Sequence, residues 1–336
     1  MNRYDYVRPD TIADAIKALS NPEARALAGG TNLVDLMKSD VARPAVVVDI
    51  NRLPLKAIDV SDDSLRVGAL VSNSDLAWHP DVQARWPLLS SAILAGASPQ
   101  LRNAATTGGN LLQRTRCYYF YDPSTACNKR APGSGCSAIG GVNRIHAILG
   151  ASSDCIAVHP SDMCVALAAL DATVEVDGPQ GQREIAFTDF HRLPDNEPER
   201  DNNLQQGDLI TAVTVPAPQF GKHFTYLKLR DRLSYAFALV SVAAGLQIEN
   251  GTIKDARIAL GGVAHKPWRD TEAEQSLRGQ AAETRVFEVV AQRILRDAKG
   301  QGENDFKIEL ATRAIVRALG QAAAGTPQNQ SDKVIQ

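Results

Sequence analysis

The feature that most constrains this chain is a long central stretch, residues 104–163, with little helical or strand periodicity. Four cysteines fall inside it, and they are Cys117, Cys127, Cys136 and Cys155. Structureless runs of this length are uncommon in compact domains and are usually functional or disordered. Thiolate ligands to a metal can hold such a segment together where a hydrophobic core is missing. The sequence therefore indicates a metal site in this stretch.

The spacing of the four cysteines does not identify the metal. None of the intervals is C-x-x-C, which separates the pattern from zinc ribbons and bacterial ferredoxin runs. Four cysteines suit either tetrahedral zinc or an iron–sulfur cluster, and free thiols in a loop are the alternative. The fifth cysteine, Cys164, falls on an apolar helical face and is interpreted as a small core residue.

Composition and charge argue against several classes of partner. The chain has 336 residues, 44% of them hydrophobic and 22% charged, which is typical of a globular protein with a sizeable core. The formal net charge is -2 and no basic block stands out, so neither nucleic acid nor a membrane is expected as a partner. Residues 1–6 lack the apolar core of a signal peptide. We expect a cytoplasmic chain, or one exported on a partner that carries the signal.

Local patterns predict an α/β beginning and a strand-rich second half. Thr11 can cap a helix over 12–19, and the β-branched run 45–50 is typical of a strand buried on both faces. Asn250-Gly251 between two strand patterns is the strongest short hairpin signal. Other predicted strands are 24–28, 65–70, 173–176, 183–187, 209–215, 224–229, 237–248 and 253–259. Other predicted helices are 33–38, 88–94, 162–170, 271–277, 282–298 and 305–322.

Two glycine turns are candidates for a ligand site. The first, Gly29-Gly30-Thr31-Asn32, lies between a predicted strand and a predicted helix, where backbone N–H groups and the helix dipole can bind a phosphate. It matches neither the Rossmann nor the P-loop pattern, and a tight turn without a ligand is the alternative. The second, Thr106-Thr107-Gly108-Gly109-Asn110, adds hydroxyl and amide groups. Together the turns indicate a dinucleotide held by backbone from two sides.

Four motifs carry a resemblance to a known family over about residues 3–322. In chain order they are Leu27-Ala28-Gly29-Gly30-Thr31-Asn32-Leu33, Thr106-Thr107-Gly108-Gly109-Asn110, His159-Pro160-Ser161-Asp162 and Ala259-Leu260-Gly261-Gly262-Val263-Ala264. The chain in this respect resembles the FAD-binding subunits of the molybdenum hydroxylases, the xanthine dehydrogenase and CO dehydrogenase family. It is most similar to the periplasmic aldehyde oxidoreductases of that family, whose FAD subunit carries a 4Fe–4S cluster in an insert. The 4-hydroxybenzoyl-CoA reductase β subunit is the other member with such an insert.

The resemblance implies an α+β fold with a PCMH-type FAD-binding part of two α/β subdomains. A cysteine-bearing insert interrupts the second subdomain, and a C-terminal domain of a three-stranded antiparallel sheet and helices follows. The implied domains are 1–57, 58–218 with the insert at about 113–157, and 219–324, before a flexible tail at 325–336.

The resemblance also implies the site residues, and it implies no catalytic residue in this chain. The residues expected to bind FAD are Arg25, Ala26, Leu27, Ala28, Gly29, Gly30, Thr31, Asn32, Leu33, Thr106, Thr107, Gly109, Asn110, Asp162, Ile210 and Lys228. For Lys228 the alternative is a solvated lysine on a strand. A 4Fe–4S cluster is expected on Cys117, Cys127, Cys136 and Cys155, with its negative charge offset by Arg116, Lys129, Arg130 and Arg144.

By the same resemblance, the chain is the electron-transfer subunit of an aldehyde oxidoreductase. Substrate chemistry would take place at a molybdenum cofactor in a large partner subunit, and a small partner with 2Fe–2S clusters would complete a heterotrimer. Electrons would leave to an external acceptor, in the periplasm. Two other classes stay open from the sequence: a self-sufficient flavin oxidoreductase and a zinc-stapled assembly module. A reductase that resembles the 4-hydroxybenzoyl-CoA enzyme is a further alternative.

Overall fold

The computed structural model describes residues 1–330 of the chain. Its first part is a small parallel sheet of β1 (Asp5–Val7), β2 (Ala24–Leu27) and β3 (Val46–Asp49), in the order β1-β3-β2. Two helices connect these strands, α1 (Ile12–Leu19) and α2 (Leu33–Lys38). The side chain of Thr11 caps α1 by accepting from the amide of Asp14, and β3 is almost fully buried, so both features confirm the sequence prediction.

A larger antiparallel sheet follows, in the order β4-β5-β8-β6-β7. Its strands are β4 (Ile58–Val60), β5 (Ser64–Gly68), β6 (Thr173–Gly178), β7 (Gly181–Ala186) and β8 (Leu209–Pro216). Short helices lie between β5 and β6: α3 (Asn73–Trp78), α4 (Pro80–Arg85), α5 (Pro87–Ala95), α6 (Pro99–Ala104), α7 (Thr107–Leu111), α8 (Tyr118–Tyr121) and α9 (Asp162–Ala169). Helix α10 (Phe187–Phe190) follows β7. One continuous core joins this sheet to α5 and α9. Helix α7, which contains the second glycine turn, packs against β5 and β8 of the same sheet.

The C-terminal part is a second antiparallel sheet, in the order β12-β11-β10-β9. Its strands are β9 (Phe224–Leu229), β10 (Val240–Glu249), β11 (Thr252–Gly261) and β12 (Trp268–Arg269). The helices α11 (Thr271–Ser276), α12 (Thr284–Ile294) and α13 (Phe306–Ala324) complete it. Asn250 and Gly251 both have positive φ angles, 50° and 75°, as the predicted hairpin turn requires.

The structure confirms the expected α+β fold class, and it corrects two strands and one helix. The C-terminal sheet was expected to have three strands, but β12 adds a fourth strand of two residues, too short for a periodicity signal. The strand predicted from 237 begins at Val240, because Phe237 is half exposed at the mouth of a cavity. The helix predicted over 282–298 is limited to Thr284–Ile294.

The insert is ordered, and it has a small core of its own. Phe120 is fully buried between Cys117, Cys127 and Leu36, the last of which comes from α2. An isolated β-bridge pairs Cys127 with Cys136. The expectation of a segment without a hydrophobic core is therefore wrong, because that core is built from residues far apart in sequence.

Two further expectations concern membranes and the tail. Across residues 1–330, none of the helices combines the length and the apolar character that a bilayer span needs. The predicted flexible tail begins inside the described residues, where Gln328 and Gln330 hydrogen bond to β9. Its last part, residues 331–336, lies outside the described residues.

Candidate functional site

The two glycine turns meet in the folded chain. A Cβ atom added to Gly29 would lie 1.8 Å from the carbonyl oxygen of Ala104, so the first turn is in backbone contact with the end of α6. Gly30 has a φ of 74°, in the left-handed region that glycine tolerates best. The structure thus brings together the two turns that the sequence analysis assigned to one dinucleotide.

The second turn is the N-terminus of α7. The hydroxyl of Thr106 accepts from the amide of Gly109 at 3.2 Å and caps the helix, while Thr107 donates its hydroxyl to the carbonyl of Val71 at 3.1 Å. A Cβ on Gly108 would come within 3.1 Å of Ala69, so this residue packs on the sheet. These hydrogen bonds hold both threonine hydroxyls in fixed orientations. Gly109, in the same turn, is exposed.

Two asparagines connect these turns to the rest of the site. The side-chain oxygen of Asn32 accepts from the amide of Arg114 at 3.1 Å, and the same side chain interacts with the phenol of Tyr121. The Nδ2 of Asn110 donates to Asn73 at 2.8 Å, and its side-chain oxygen accepts from the hydroxyl of Ser161. Ser161 is the N-cap of α9, so the second turn is tied directly to the helix that begins with Asp162.

Asp162 and Lys228 form a buried ion pair. Their charged atoms are 2.8 Å apart, and the side chains are only 7% and 2% exposed. Asp162 also accepts from the hydroxyl of Tyr226 at 2.7 Å, and burial together with this carboxylate raises the pKa of Tyr226 well above its usual value. Lys228 in addition donates to the carbonyl of Ala95 at 3.1 Å. The alternative of a solvated strand lysine is therefore excluded.

Asp162 faces a cavity of about 330 Å³ between the FAD-binding part and the C-terminal sheet. Ser161, Phe237 and Gly262 are among its lining residues. The expected site residue Ile210 is not in this wall, because its side chain is packed in the core of the larger sheet. The residues of the first turn lie outside this wall as well, so a ligand that touches both turns and Asp162 has to be elongated.

The other expected site residues lie along β2 and at the start of α2. Arg25 donates to the carbonyls of Pro22 and Ala24, and Ala26 and Leu27 pair with β3. Ala28 accepts at its carbonyl from Asn51, and Leu33 is the first residue of α2. These contacts hold the segment within the first sheet, while Gly29 is exposed at the turn that follows.

The four insert cysteines line one common pocket. Cys117, Cys127 and Cys155 are buried, Cys136 is partly exposed, and all four are free thiols. Burial raises the pKa of Cys117 to about 12 and that of Cys155 to about 11, although Lys129 acts in the opposite direction on Cys155. Such thiols stay protonated unless a cation replaces the proton. The pocket therefore has the donor set of a metal site.

Two nitrogen atoms lie within hydrogen-bonding distance of sulfur atoms of this pocket. The Nε2 of His146 is 3.1 Å from the Sγ of Cys117, and the amide of Ala157 is 3.5 Å from the Sγ of Cys155. Burial lowers the pKa of His146 to about 4, which keeps the ring neutral. Lys307 holds the backbone carbonyl of His146 at 2.7 Å, and this fully buried lysine comes from α13. Hydrogen bonds of this kind to ligand sulfurs are typical of iron–sulfur sites.

Of the four cations expected to offset cluster charge, Lys129 acts on a cysteine, because its positive charge lowers the pKa of Cys155. Arg116 and Arg144 pair instead with Asp35 and Asp231. Arg130 donates to backbone carbonyls, including that of Tyr119 at 2.6 Å. These ion pairs and hydrogen bonds hold the insert in place, and sequence proximity to the cysteines could not reveal them.

Lys129 anchors the insert to the later chain through Asp201. It is 1% exposed, it pairs with Asp201, and it donates to the carbonyl of Pro198 at 2.7 Å. His265 completes this network, with Nδ1 at 2.8 Å from the carbonyl of Arg192 and Nε2 at 3.8 Å from Asp201. Three segments separated in sequence are thus joined around one carboxylate.

Acid should loosen this network through His265. Burial, and next the charge of Lys129, lower the pKa of His265 from 6.5 to about 4. Between these two values the unfolded chain binds a proton that the folded chain does not, so the free energy of unfolding falls as the pH is lowered from 6.5 to about 4. We expect a loss of about 3 kcal/mol from this residue. Urea titrations across this range should show a slope about one proton shallower in His265→Gln, and an unchanged slope would contradict the prediction.

Sequence reasoning missed several of these contacts. His146 carried no pattern of its own, since a lone histidine near a cysteine is more often structural. Lys307 lies 190 positions after Cys117 (307 − 117), and Tyr226 looks like any strand aromatic. The sequence signal for Lys307 was a lysine on an otherwise apolar helix face. Such a position is expected to be buried, and lysine is almost never buried without partners.

Comparison with known proteins identifies the class to which this chain belongs. Residues 2–218 match the family described as the FAD binding domain in molybdopterin dehydrogenase. Residues 224–322 match the CO dehydrogenase flavoprotein C-terminal domain. The chain therefore belongs to the FAD-binding subunits of the molybdenum hydroxylase family, and it is an oxidoreductase subunit.

Individual relatives cover nearly the whole chain. The aldehyde oxidoreductase FAD-binding subunit PaoB of Escherichia coli K12 is 50% identical over 327 residues, 96% of this chain and 99% of that protein. The glyceraldehyde dehydrogenase medium chain of Sulfolobus acidocaldarius is 28% identical over 87% of this chain and 86% of its own length. Among solved structures, a CO dehydrogenase of Hydrogenophaga pseudoflava aligns with a TM-score of 0.76 at 26% identity, over 96% of this chain and 98% of that one.

Proposed function

We propose that this chain is the FAD-binding, electron-transfer subunit of an aldehyde oxidoreductase that oxidises aldehydes to carboxylic acids. The observation that carries the proposal is the 50% identity to an aldehyde oxidoreductase FAD-binding subunit over 96% of the chain. The proposal assigns the substrate chemistry to a partner subunit and no catalytic residue to this chain.

The residues around the two glycine turns fit an elongated dinucleotide such as FAD. FAD supplies the capacity to accept electrons singly and to deliver two, and that capacity belongs to the cofactor. The backbone of Gly29–Asn32 and of Thr106–Asn110 would bind its pyrophosphate, because free N–H groups at the start of a helix favour an anion. Asp162, with Lys228 as its counter-ion, would set the polarity of the cavity wall near the ring. Gly29 in the first turn and Gly109 in the second are both exposed, so their backbone is open to such a ligand.

We also propose that Cys117, Cys127, Cys136 and Cys155 hold a 4Fe–4S cluster. A tetrahedral zinc site needs its sulfurs roughly 3.8 Å apart, from Zn–S bonds of about 2.3 Å. Within residues 1–330, no three of these four cysteine sulfurs all lie within 4.8 Å of one another. Their wider spacing favours a cluster over one zinc ion. The hydrogen-bond donors at Cys117 and Cys155 support the same assignment.

Replacing Cys127 with serine should remove most of the iron from the purified chain and leave FAD in place. The physical reason is that serine is a poor ligand for cluster iron, while the glycine turns lie on other elements. Iron and flavin per chain are measured together on anaerobically purified protein. Cys164→Ala is the matched control, since this cysteine lies outside the insert, and it should keep its iron. Full iron content in Cys127→Ser would overturn the cluster assignment.

Replacing His146 with leucine should lower the reduction potential of the cluster. The Nε2 of His146 lies 3.1 Å from the Cys117 sulfur, and it can only donate once that sulfur is a metal-bound thiolate without a proton. A hydrogen bond to a ligand sulfur favours the reduced, more negative state. The measurement is a redox titration followed by EPR. His146→Gln can present an amide N–H near the same place, so it should recover part of the shift. Equal potentials in wild type and His146→Leu would contradict the role.

The proposal includes two partners and a compartment. We infer a small subunit with 2Fe–2S clusters and a large molybdenum cofactor subunit, in a heterotrimer that delivers electrons to an external acceptor. The inferred compartment is the periplasm, reached with a signal-bearing partner. The test is to purify this chain through a tag from cells that also express both subunits. Molybdenum and extra iron should co-purify with it, whereas a chain that emerges alone at full flavin occupancy would contradict the partnership.

A further inference from the structure

Three side chains outside the cysteine insert converge in the interior of the FAD-binding part. They are His159, Cys164 and His191, and one potential ligand atom from each lies within 4.8 Å of the other two. All three are buried, with 8%, 0% and 3% of the residue surface exposed. This is the set of ligand atoms, within the described residues, that is compact enough for a single metal ion.

The hydrogen bonds of His191 leave a lone pair free at this point. Its Nε2 lies 2.8 Å from the carbonyl oxygen of Leu111, so Nε2 carries the proton and donates it. Nδ1 is then an unprotonated nitrogen, and it is buried without a hydrogen-bond partner. A metal-binding histidine typically donates its second ring N–H to a carbonyl in this way, which fixes the tautomer.

His159 presents a second buried nitrogen of the same kind. Its Nε2 also has no hydrogen-bond partner, and the two imidazole centroids are 4.2 Å apart. Buried polar atoms without partners are rare in native proteins, so each one calls for an explanation. The two nitrogens lie on adjacent rings next to a buried thiol, which makes them candidate ligand atoms of one site.

The positions of the three side chains are fixed by their neighbours. The amide of Cys164 donates to the N-cap hydroxyl of Ser161 at 3.0 Å, which sets the thiol in the first turn of α9. The ring of Phe190 packs edge-on against His191 at 4.8 Å. The amide of His159 donates to the carbonyl of Ala264 at 3.0 Å. A ligand set held this way needs little rearrangement to close around an ion.

We propose that His159, Cys164 and His191 form a site for one borderline-soft divalent cation of the zinc class. Two imidazole nitrogens and a thiolate suit such an ion, whereas Mg²⁺ and Ca²⁺ require oxygen ligands. The ion would join α9, which begins with Asp162, to the end of α7 through His191 and Leu111. Its role is therefore to brace the second glycine turn against the cavity wall, and it is separate from the four insert cysteines.

Metal analysis of untagged enzyme, purified with its partner subunits, tests the site. We expect close to one zinc-class ion per copy of this chain in addition to iron and molybdenum. His191→Gln keeps an amide that can donate to Leu111 but removes the metal-binding nitrogen, and it should lower the zinc content at least tenfold with iron unchanged. Cys127→Ser is the opposite control, since it should lose iron and keep zinc.

Three outcomes would overturn the proposal. The first is wild-type enzyme without a stoichiometric zinc-class ion, in which case a buried water would lie between the two rings. The second is zinc that persists in His191→Gln. The third is zinc that is lost from Cys127→Ser. If His191→Gln does not fold, X-ray absorption at the zinc edge of the wild type decides. Two nitrogen ligands and one sulfur ligand support the site, and four sulfur ligands contradict it.

Discussion

Replacing Gly29 with alanine should abolish FAD binding by this chain. The added Cβ would lie 1.8 Å from the carbonyl oxygen and 2.6 Å from the carbonyl carbon of Ala104, and both contacts are with backbone. Backbone cannot rotate away as a flexible side chain can, so the two glycine turns would have to separate. Because each turn is expected to hold one side of the same pyrophosphate, their separation removes both sets of N–H donors at once. We expect purified Gly29→Ala to retain less than about a tenth of the wild-type flavin, a loss of more than 1.4 kcal/mol in binding.

A second glycine substitution provides the control. Gly320 lies inside α13, where an added Cβ would meet open space, and alanine is the better helix former by about 1 kcal/mol. Gly320→Ala should therefore keep full flavin occupancy and unfold at an equal or higher temperature. Flavin content is read from the absorbance of the released cofactor, and folding from circular dichroism. Full flavin occupancy in Gly29→Ala would show that the contact between the turns is not needed for the cofactor.

Replacing Asp162 with alanine should lower the free energy of unfolding by about 3–5 kcal/mol. The carboxylate is 7% exposed and its partner Lys228 is 2% exposed, so its removal leaves a buried ammonium without its counter-ion. The hydroxyl of Tyr226 loses its acceptor as well. The measurement is urea unfolding of wild type and variant at neutral pH. The double variant Asp162→Ala with Lys228→Met should recover part of the loss, because it removes the unpaired charge.

An exposed ion pair of the same chain is the comparison. Arg313 and Glu309 lie one turn apart on α13 at 2.7 Å, but their side chains are 77% and 66% exposed. Exposed pairs contribute little because water screens the charges. Glu309→Ala should leave the unfolding midpoint unchanged. Similar losses in Asp162→Ala and Glu309→Ala would contradict the buried character of the first pair.

The local elements of this fold could be predicted from sequence where caps and periodicity agree. The helix capped by Thr11 and the helix that begins at Leu33 have the predicted bounds, and Asn250-Gly251 forms the predicted hairpin. Each of these depends on residues within a few positions of one another. Helix α7 was missed as a helix, because a five-residue element that contains two glycines has no apolar period.

The candidate site depended on contacts that no local pattern contains. The approach of Gly29 to Ala104 and the pairing of Asp162 with Lys228 join residues that only the tertiary fold brings together. Cys164 was interpreted as a small core residue because its helical face is apolar, and that face is indeed buried. The sequence could not predict that His159 and His191 each have a ring nitrogen without a hydrogen-bond partner, because that depends on the tertiary fold.

The most direct test of the proposed function is to add an aldehyde anaerobically and follow the flavin absorbance of this chain. Two samples are compared: the isolated FAD-loaded chain, and the same chain assembled with the small iron–sulfur and large molybdenum subunits. We expect the flavin band to persist in the isolated chain and to bleach in the assembly. Bleaching in the isolated chain would contradict the proposed function, because the chain would then oxidise the aldehyde without a partner. A flavin band that persists in an assembly with full cofactor content would contradict it equally.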